Sequence, residues 1–137
     1  MSYDQWLAAL MLWREARGAS LSAMTGIYWV LLNRVRDSLN RWPKSIPAVI
    51  LQHAQFSSFN AGDPNAVKFP IPPLGASVMP SADWTAWLNA QAVVQTSLGA
   101  DPTMGATNYH SEPENPPAWA DPAKLTVTIG AFRFYKL

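Results

Sequence analysis

The chain has 137 residues, of which 49% are hydrophobic and 14% are charged, as is typical of a globular protein. This length predicts one domain over residues 1–137 and leaves no room for a second, separate module. Ten basic and nine acidic residues give a net charge of +1, so the sequence lacks the positive field of a nucleic-acid-binding protein. The absence of cysteine excludes disulfides and thiolate metal sites.

Two helices are predicted at the start of the chain. Ser2 begins a capping-box pattern, and apolar residues at helical spacing continue from it until Gly18 ends the first helix. The second helix has Ser20 or Ser22 as its cap and runs to about Ser38.

The middle of the chain predicts two further helices separated by a long loop. Residues 45–51 carry a proline in the first turn of a short helix. The segment from Asn60 to Pro80 is rich in glycine and proline and shows no periodicity, which indicates a loop. Ser81 is the predicted cap of the next helix, which Gly99 stops.

The last third of the chain changes from helical to strand patterns. Short β-branched or aromatic segments at 107–110, 125–129 and 132–135 predict strands. Helices followed by a few strands indicate an α+β fold that is mostly α-helical, with a small β region in the C-terminal third.

No export signal and no membrane span are expected. The start of the chain carries Asp4 where a signal peptide has its basic region, and Arg14 and Glu15 interrupt the apolar stretch that follows. The sequence therefore predicts synthesis in the cytoplasm without an export signal.

Glu15 is the leading candidate for a catalytic residue. It follows Leu12 and Trp13, and an apolar setting disfavours the charged carboxylate, which raises its pKa and suits a general acid. The alternative is a solvated or ion-paired surface glutamate, because Arg14 and Arg17 are close in sequence.

Other catalytic chemistries have little support. His53 and His110 lack the spacing of metal ligands, and we expect no metal and no cofactor. The chain contains neither a GxSxG nucleophile elbow nor a glycine-rich phosphate loop. A structural or pocket-lining role for His110 is favoured over a general base.

Glycoside cleavage normally uses two carboxylates, and the second one is not evident here. Four acidic residues lie in predicted loops, and the sequence singles out none of them: Asp63, Asp101, Glu112 and Glu114. If a hydroxyl of the substrate itself attacks the anomeric carbon, one carboxylate is enough, acting first as acid and then as base.

Asn33 lies among apolar positions of the second helix and has two interpretations. It is either a surface or locally bonded residue, or it gives structural support by bonding backbone near the loop that carries Glu15.

Several motifs in this order resemble the SleB-type cell-wall hydrolase family, the spore-cortex-lytic enzymes and their relatives. They are Glu15-Ala16-Arg17-Gly18, Val30-Leu31-Leu32-Asn33-Arg34-Val35, Trp42-Pro43-Lys44-Ser45-Ile46 with Val49-Ile50, Gln55-Phe56-Ser57, Gly105-Ala106-Thr107-Asn108-Tyr109-His110 and Ile129-Gly130-Ala131-Phe132-Arg133-Phe134-Tyr135.

The resemblance implies a lysozyme-like catalytic domain that cleaves peptidoglycan glycan strands as a lytic transglycosylase or muramidase, and it places the catalytic glutamate at Glu15. Two positions depart from the family pattern. Ala19 stands where members often have a second acid, and Ala131 stands where they often have a histidine.

We expect the substrate-binding residues to lie in the later motifs, with a peptidoglycan glycan strand as the partner of a monomeric enzyme. These residues are Gln55, Ser57, Thr107, Tyr109 and His110. Action on the bacterial cell wall is expected, and the lack of an export signal and of a wall-binding module in this sequence suggests a phage endolysin released by a separate lysis system, or an excised catalytic domain. The competing hypothesis is a non-catalytic glycan-binding or phage structural module with the same fold.

Overall fold

The computed structural model describes residues 1–52, 56–70, 80–96, 99–112 and 115–137. In these ranges helices come first and strands last, which confirms the predicted α+β, mostly helical class. The elements in chain order are α1 (Tyr3–Ala16), α2 (Leu21–Val35), α3 (Ile46–Leu51), a 3-10 helix (Ser57–Phe59), α4 (Ser81–Gln95), β1 (Asn108–Ser111), a 3-10 turn (Pro122–Lys124), β2 (Leu125–Ile129) and β3 (Phe132–Tyr135).

Side chains cap the first three helices, and the sequence predicts the caps of the first two. The Gln5 amide donates to the Ser2 hydroxyl over 3.1 Å, and the Ser2 amide donates to the Gln5 side chain over 2.9 Å, which completes the capping box. Ser20 caps α2 and Ser45 caps α3. Among the described helices, none combines the length and the apolar character needed to cross a bilayer.

Three predicted helix boundaries are wrong. α2 ends at Val35 instead of near Ser38, because the chain then turns and Asn40 adopts a φ of +56°. Ser81 is the first residue of α4 and not its cap. Pro80 occupies the cap position with extended backbone, and its carbonyl accepts the first amide hydrogen bonds of the helix. α4 ends at Gln95, short of Gly99.

α1 is the central helix of the hydrophobic core. Every residue from Leu7 to Arg14 is buried, and the helix packs against α2, α3, α4 and the 3-10 helix. Met11, Leu12 and Trp13 are at most 1% exposed. Because α1 is enclosed on several sides, its last turn has a well-defined position relative to the rest of the molecule.

The C-terminal sheet has the strand order β1-β3-β2, and both pairs are antiparallel. Phe134 of the central strand lies opposite Tyr109 of β1 and Val127 of β2, with an irregularity between Leu125 and Val127. The Phe134 ring is fully buried and faces Gly26 of α2. The sheet therefore packs on α2 at a position where no side chain intervenes.

We predict that Gly26→Ala destabilises the protein by about 1–3 kcal/mol, because the added methyl group overpacks the core. Its Cβ would lie 2.7 Å from Cζ of Phe134 and 3.3 Å from Cδ1 of Ile129. Urea unfolding measures the difference in free energy. Gly99→Ala is the matched control, since a Cβ there meets none of the described atoms within 4 Å. Equal stability of the two variants would contradict close packing at Gly26.

Candidate active site

Glu15 lies in the last turn of α1 and is half-buried at the edge of a cleft of about 360 Å³. The cleft opens where the 16–20 segment and Ala23 of α2 face the turn between β2 and β3, with Phe132 as the aromatic residue of its lining. The carboxyl is thus next to both the core and a space that a substrate can enter. The predicted rise in its pKa stays a prediction.

Ser58 is the described partner that orients Glu15. Its hydroxyl donates to Oε1 of Glu15 over 2.8 Å, and its amide lies 3.4 Å from the same oxygen. Ser58 is only 2% exposed and belongs to the 3-10 helix that packs against α1. A buried donor from a second element restricts rotation of the carboxyl group and keeps it at the cleft.

The structure changes the set of residues expected around the glutamate. Gln55 lies outside the described residues. Ser57 contributes its backbone to the 3-10 helix, and its side chain also lies outside the described part. Thr107 is buried and occupied structurally, because its carbonyl accepts from Nε of Arg34 over 2.7 Å and its hydroxyl accepts from the Leu137 amide over 3.3 Å.

Tyr109 and His110 have separate surroundings in the sheet. The Tyr109 ring packs 5.9 Å from that of Phe132, so it contacts a residue of the cleft lining. His110 is 5% exposed, stacks on Tyr135 and has Nε2 3.0 Å from the Tyr135 hydroxyl. The His110 ring is thus packed within the sheet, and its expected role in substrate binding stays a prediction.

Asn33 supports a different loop from the one expected. Its Nδ2 donates to Oδ2 of Asp101 and to the Ala106 carbonyl, both over 2.9 Å. The expected bond near Glu15 is wrong because of helix length. Glu15 lies beside the start of α2, whereas Asn33 is twelve residues beyond Leu21, about 18 Å along the axis at 1.5 Å per residue. Asn33 braces the 101–106 loop that leads into β1.

Asp101 is the hydrogen-bonded centre of that loop. One carboxylate oxygen accepts from the amide and hydroxyl of Thr103 over 2.7 and 2.6 Å, and the other accepts from Asn33 and the Gly105 amide. Burial raises the pKa of Asp101, but these hydrogen bonds together hold it below its ordinary value. Asp101 is therefore a structural anion.

The remaining acidic candidates differ in their surroundings. Glu112 is exposed and forms an ion pair with Arg133. Asp63 accepts from the Asn65 amide over 2.8 Å, in the segment that follows the 3-10 helix. Glu114 lies outside the described residues. In the part of the chain that the structure describes, His, Asp and Glu side chains form no cluster that could hold a metal ion.

Two buried arginines were not predicted from the sequence. Arg34 is 5% exposed, and its guanidinium lies over the rings of Trp42 and Phe56 at 5.4 and 5.3 Å. Burial lowers its pKa to about 10, and nearby Tyr109 opposes the shift. Arg14, the residue before Glu15, is 7% exposed. The sequence indicates its burial only by placing Arg14 at helical spacing from the apolar residues of α1.

A protein-family model and a solved structure both match the chain. A protein-family model described as Cell Wall Hydrolase matches residues 18–135. Among solved structures, the catalytic domain of the Bacillus cereus SleB protein matches with a TM-score of 0.63 and 24% sequence identity. That match covers 97% of this chain and 89% of the other, and it confirms the expected lysozyme-like architecture. None of the curated proteins matches the chain.

We predict that Asp101→Asn lowers the free energy of unfolding by about 1–3 kcal/mol, because an amide cannot accept at both positions where donors point. Asp121→Asn is the control, since asparagine caps a helix as well as aspartate. The Asp101 contribution is present above its ordinary pKa of 3.8 and is lost as pH falls through the lowered folded-state pKa. Urea unfolding at neutral and acidic pH should show the difference from wild type shrinking in acid. A constant difference would contradict this.

Proposed function

The chain belongs to the cell wall hydrolase family, and from this premise we propose that residues 1–137 form one catalytic domain that cleaves peptidoglycan glycan strands. The proposal is carried by a single observation, the placement of Glu15 at a cleft with a buried serine hydroxyl bonded to its carboxyl. The family match begins at residue 18, so the support for Glu15 comes from this geometry.

In the proposed reaction, Glu15 protonates the glycosidic oxygen between N-acetylmuramic acid and N-acetylglucosamine. The bond from that oxygen to the anomeric carbon breaks, and an oxocarbenium-like centre forms. The Glu15 carboxylate then takes a proton from the attacking hydroxyl. Ser58 keeps the carboxyl in one orientation through both proton transfers, which favours a productive geometry without rearrangement.

We propose that the nucleophile is the 6-hydroxyl of the muramoyl residue, which gives a 1,6-anhydro product. Asp101 and Glu112 are already engaged by structural partners, so neither supports a role as second catalytic carboxylate. The alternative is a hydrolytic muramidase, in which Asp63 would be the second catalytic carboxylate. This residue lies in the segment that follows Ser58, and it could activate a water if it approaches the sugar from the other side.

A non-catalytic glycan-binding or phage structural module is the competing function. It has no need of a half-buried acid with a dedicated buried donor, so the Glu15–Ser58 pair favours the enzyme. We place the site of action at the bacterial cell wall. We also propose that a phage lysis system releases the protein and that it acts as a monomer. Lysis assays on intact cells test the first point, and sedimentation tests the second.

We predict that Glu15→Gln loses about 10²- to 10⁴-fold in activity, because the amide is isosteric but cannot donate the proton. The measurement is the rate at which a suspension of purified peptidoglycan loses turbidity. Thermal unfolding should show a fold that is nearly unchanged. Glu112→Gln makes the same chemical change at an exposed residue and should retain activity. Clearing by Glu15→Gln at more than about a tenth of the wild-type rate would remove Glu15 from the mechanism.

The product distribution tests the choice of nucleophile. We predict anhydro-muropeptides in the mass spectrum of a peptidoglycan digest, and an Asp63→Asn variant that keeps most of its activity. Reducing-end muropeptides without anhydro sugar, together with an Asp63→Asn defect as large as that of Glu15→Gln, would establish the muramidase route instead. Intact glycan with released peptides would contradict glycan cleavage altogether.

A further inference from the structure

Arg14 precedes Glu15 on α1 and binds the backbone of the segment that follows the 3-10 helix. Its Nη2 donates to the carbonyls of Ala66 and Lys68, both over 3.0 Å, and its Nε donates to the Lys68 carbonyl over 3.1 Å. A planar guanidinium has several donors in fixed directions, so it can bond the carbonyls of Ala66 and Lys68 together and use two donors on one of them; the point charge of a lysine ammonium lacks this fixed geometry.

Two aromatic rings enclose the same guanidinium. Its Cζ lies 4.7 Å from the ring centre of Phe59 and 5.0 Å from that of Phe69. Burial lowers the pKa of Arg14, and the negative charge of Asp63 partly opposes this shift. A buried arginine that is both hydrogen-bonded and stacked has one favourable position, so it also determines the position of the Phe69 ring.

The bound segment also contacts a residue of the cleft lining. Nη2 of Arg17 donates to the Asn65 side chain over 3.2 Å, and Arg17 lines the same cleft as Glu15. Phe69 is 51% exposed although its ring contacts the Arg14 guanidinium. The segment Asn65–Phe69 therefore lies beside the cleft and presents a half-exposed aromatic ring.

We propose that Arg14 is a positioning residue that holds Asn65–Phe69 as a sugar-binding wall beside the Glu15 cleft, with the Phe69 ring stacking on a sugar of the glycan strand. This inference rests on the proposed function for its ligand. Aromatic rings bury the apolar faces of sugars, and a ring that is already held in place loses little freedom on binding. Arg14 thus contributes to substrate affinity and takes no part in proton transfer.

Trypsin tests the positioning step without any substrate. The Lys68 side chain is exposed, but the carbonyl of the Lys68–Phe69 peptide bond accepts two hydrogen bonds from Arg14 and must be released before cleavage. Arg14→Lys should raise the rate of cleavage after Lys68 by at least about tenfold, because the bidentate bonds to a charged donor are lost. Mass spectrometry of the fragment that ends at Lys68 gives the rate.

Binding to peptidoglycan tests the wall itself. In the Glu15→Gln background, which separates binding from turnover, co-sedimentation with purified peptidoglycan gives an apparent Kd. Arg14→Lys and Phe69→Leu should each weaken binding by about threefold to tenfold. With Glu15 intact, Arg14→Lys should raise the half-saturating peptidoglycan concentration and leave the maximal rate and its pH profile nearly unchanged. If Arg14 had only a structural role, the variant would contain less active enzyme, so the maximal rate would fall and the half-saturating concentration would not change.

Arg36→Lys is the matched control, since Arg36 is exposed and its guanidinium lies 5.8 Å from the ring of Trp29. It should match wild type in every assay. Should Arg14→Lys not fold, Phe69→Leu at its exposed position carries the binding test.

Tryptic cleavage of Arg14→Lys at the wild-type rate would overturn the positioning role. Unchanged binding by Arg14→Lys and Phe69→Leu, or no binding by the Glu15→Gln protein, would overturn the wall. The proposed function fails by a different observation, the lack of peptidoglycan cleavage by the wild-type protein. In that case the tryptic and binding assays still decide the inference.

Discussion

Buried or half-buried polar side chains on two core helices need acceptors, and they find them in the backbone of irregular segments. Arg14 on α1 and Asn33 and Arg34 on α2 donate to carbonyl groups in 66–68 and 106–107. Burying a guanidinium without such partners costs several kcal/mol of folding free energy. The fold must therefore keep these carbonyl groups next to the two arginines. Segments without regular structure of their own are held in place by the helices in this way.

The cleft depends on these distant bonds. Asn33 and Arg34, near the end of α2, hold the entry to β1, while residues at the start of the same helix line the cleft beside Glu15. The turn between β2 and β3 completes the lining, and its position follows from the packing of the sheet on α2 at Gly26. α2 therefore fixes the position of the β2–β3 turn relative to Glu15 on the other side of the cleft.

Local features of the sequence predicted local structure well. The capping box at Ser2 and the cap at Ser20 require only neighbouring residues, and the strand at 132–135 follows from alternation. The error at Ser81 has the same origin. A serine before a helical pattern suggests a cap, but the preceding proline can take that position with its carbonyl alone.

Partners far apart in the chain could not be predicted. Ser58 is 43 residues from Glu15, and the adjacent Ser57 was an equally good choice on sequence grounds. Asn33 lies 68 residues from Asp101, and no pattern along α2 indicates which loop its amide meets. The position of Glu15 next to the core could be predicted, because Leu12 and Trp13 shortly before it are apolar. Arg14 was visible only as a charge on the apolar stripe, which indicates burial but not what the guanidinium binds.

The bonds from Arg14 end on peptide carbonyls, a group that every residue type possesses. Substitutions of the side chains at Ala66 and Lys68 leave these acceptors in place, so the contact tolerates sequence drift that would abolish a bond between two side chains. The outward surface of this segment is therefore free to diversify while its attachment to the helix bearing the acid persists. Under the proposed sugar-binding role, exposed side chains of this segment can therefore change without loss of the bonds that hold it.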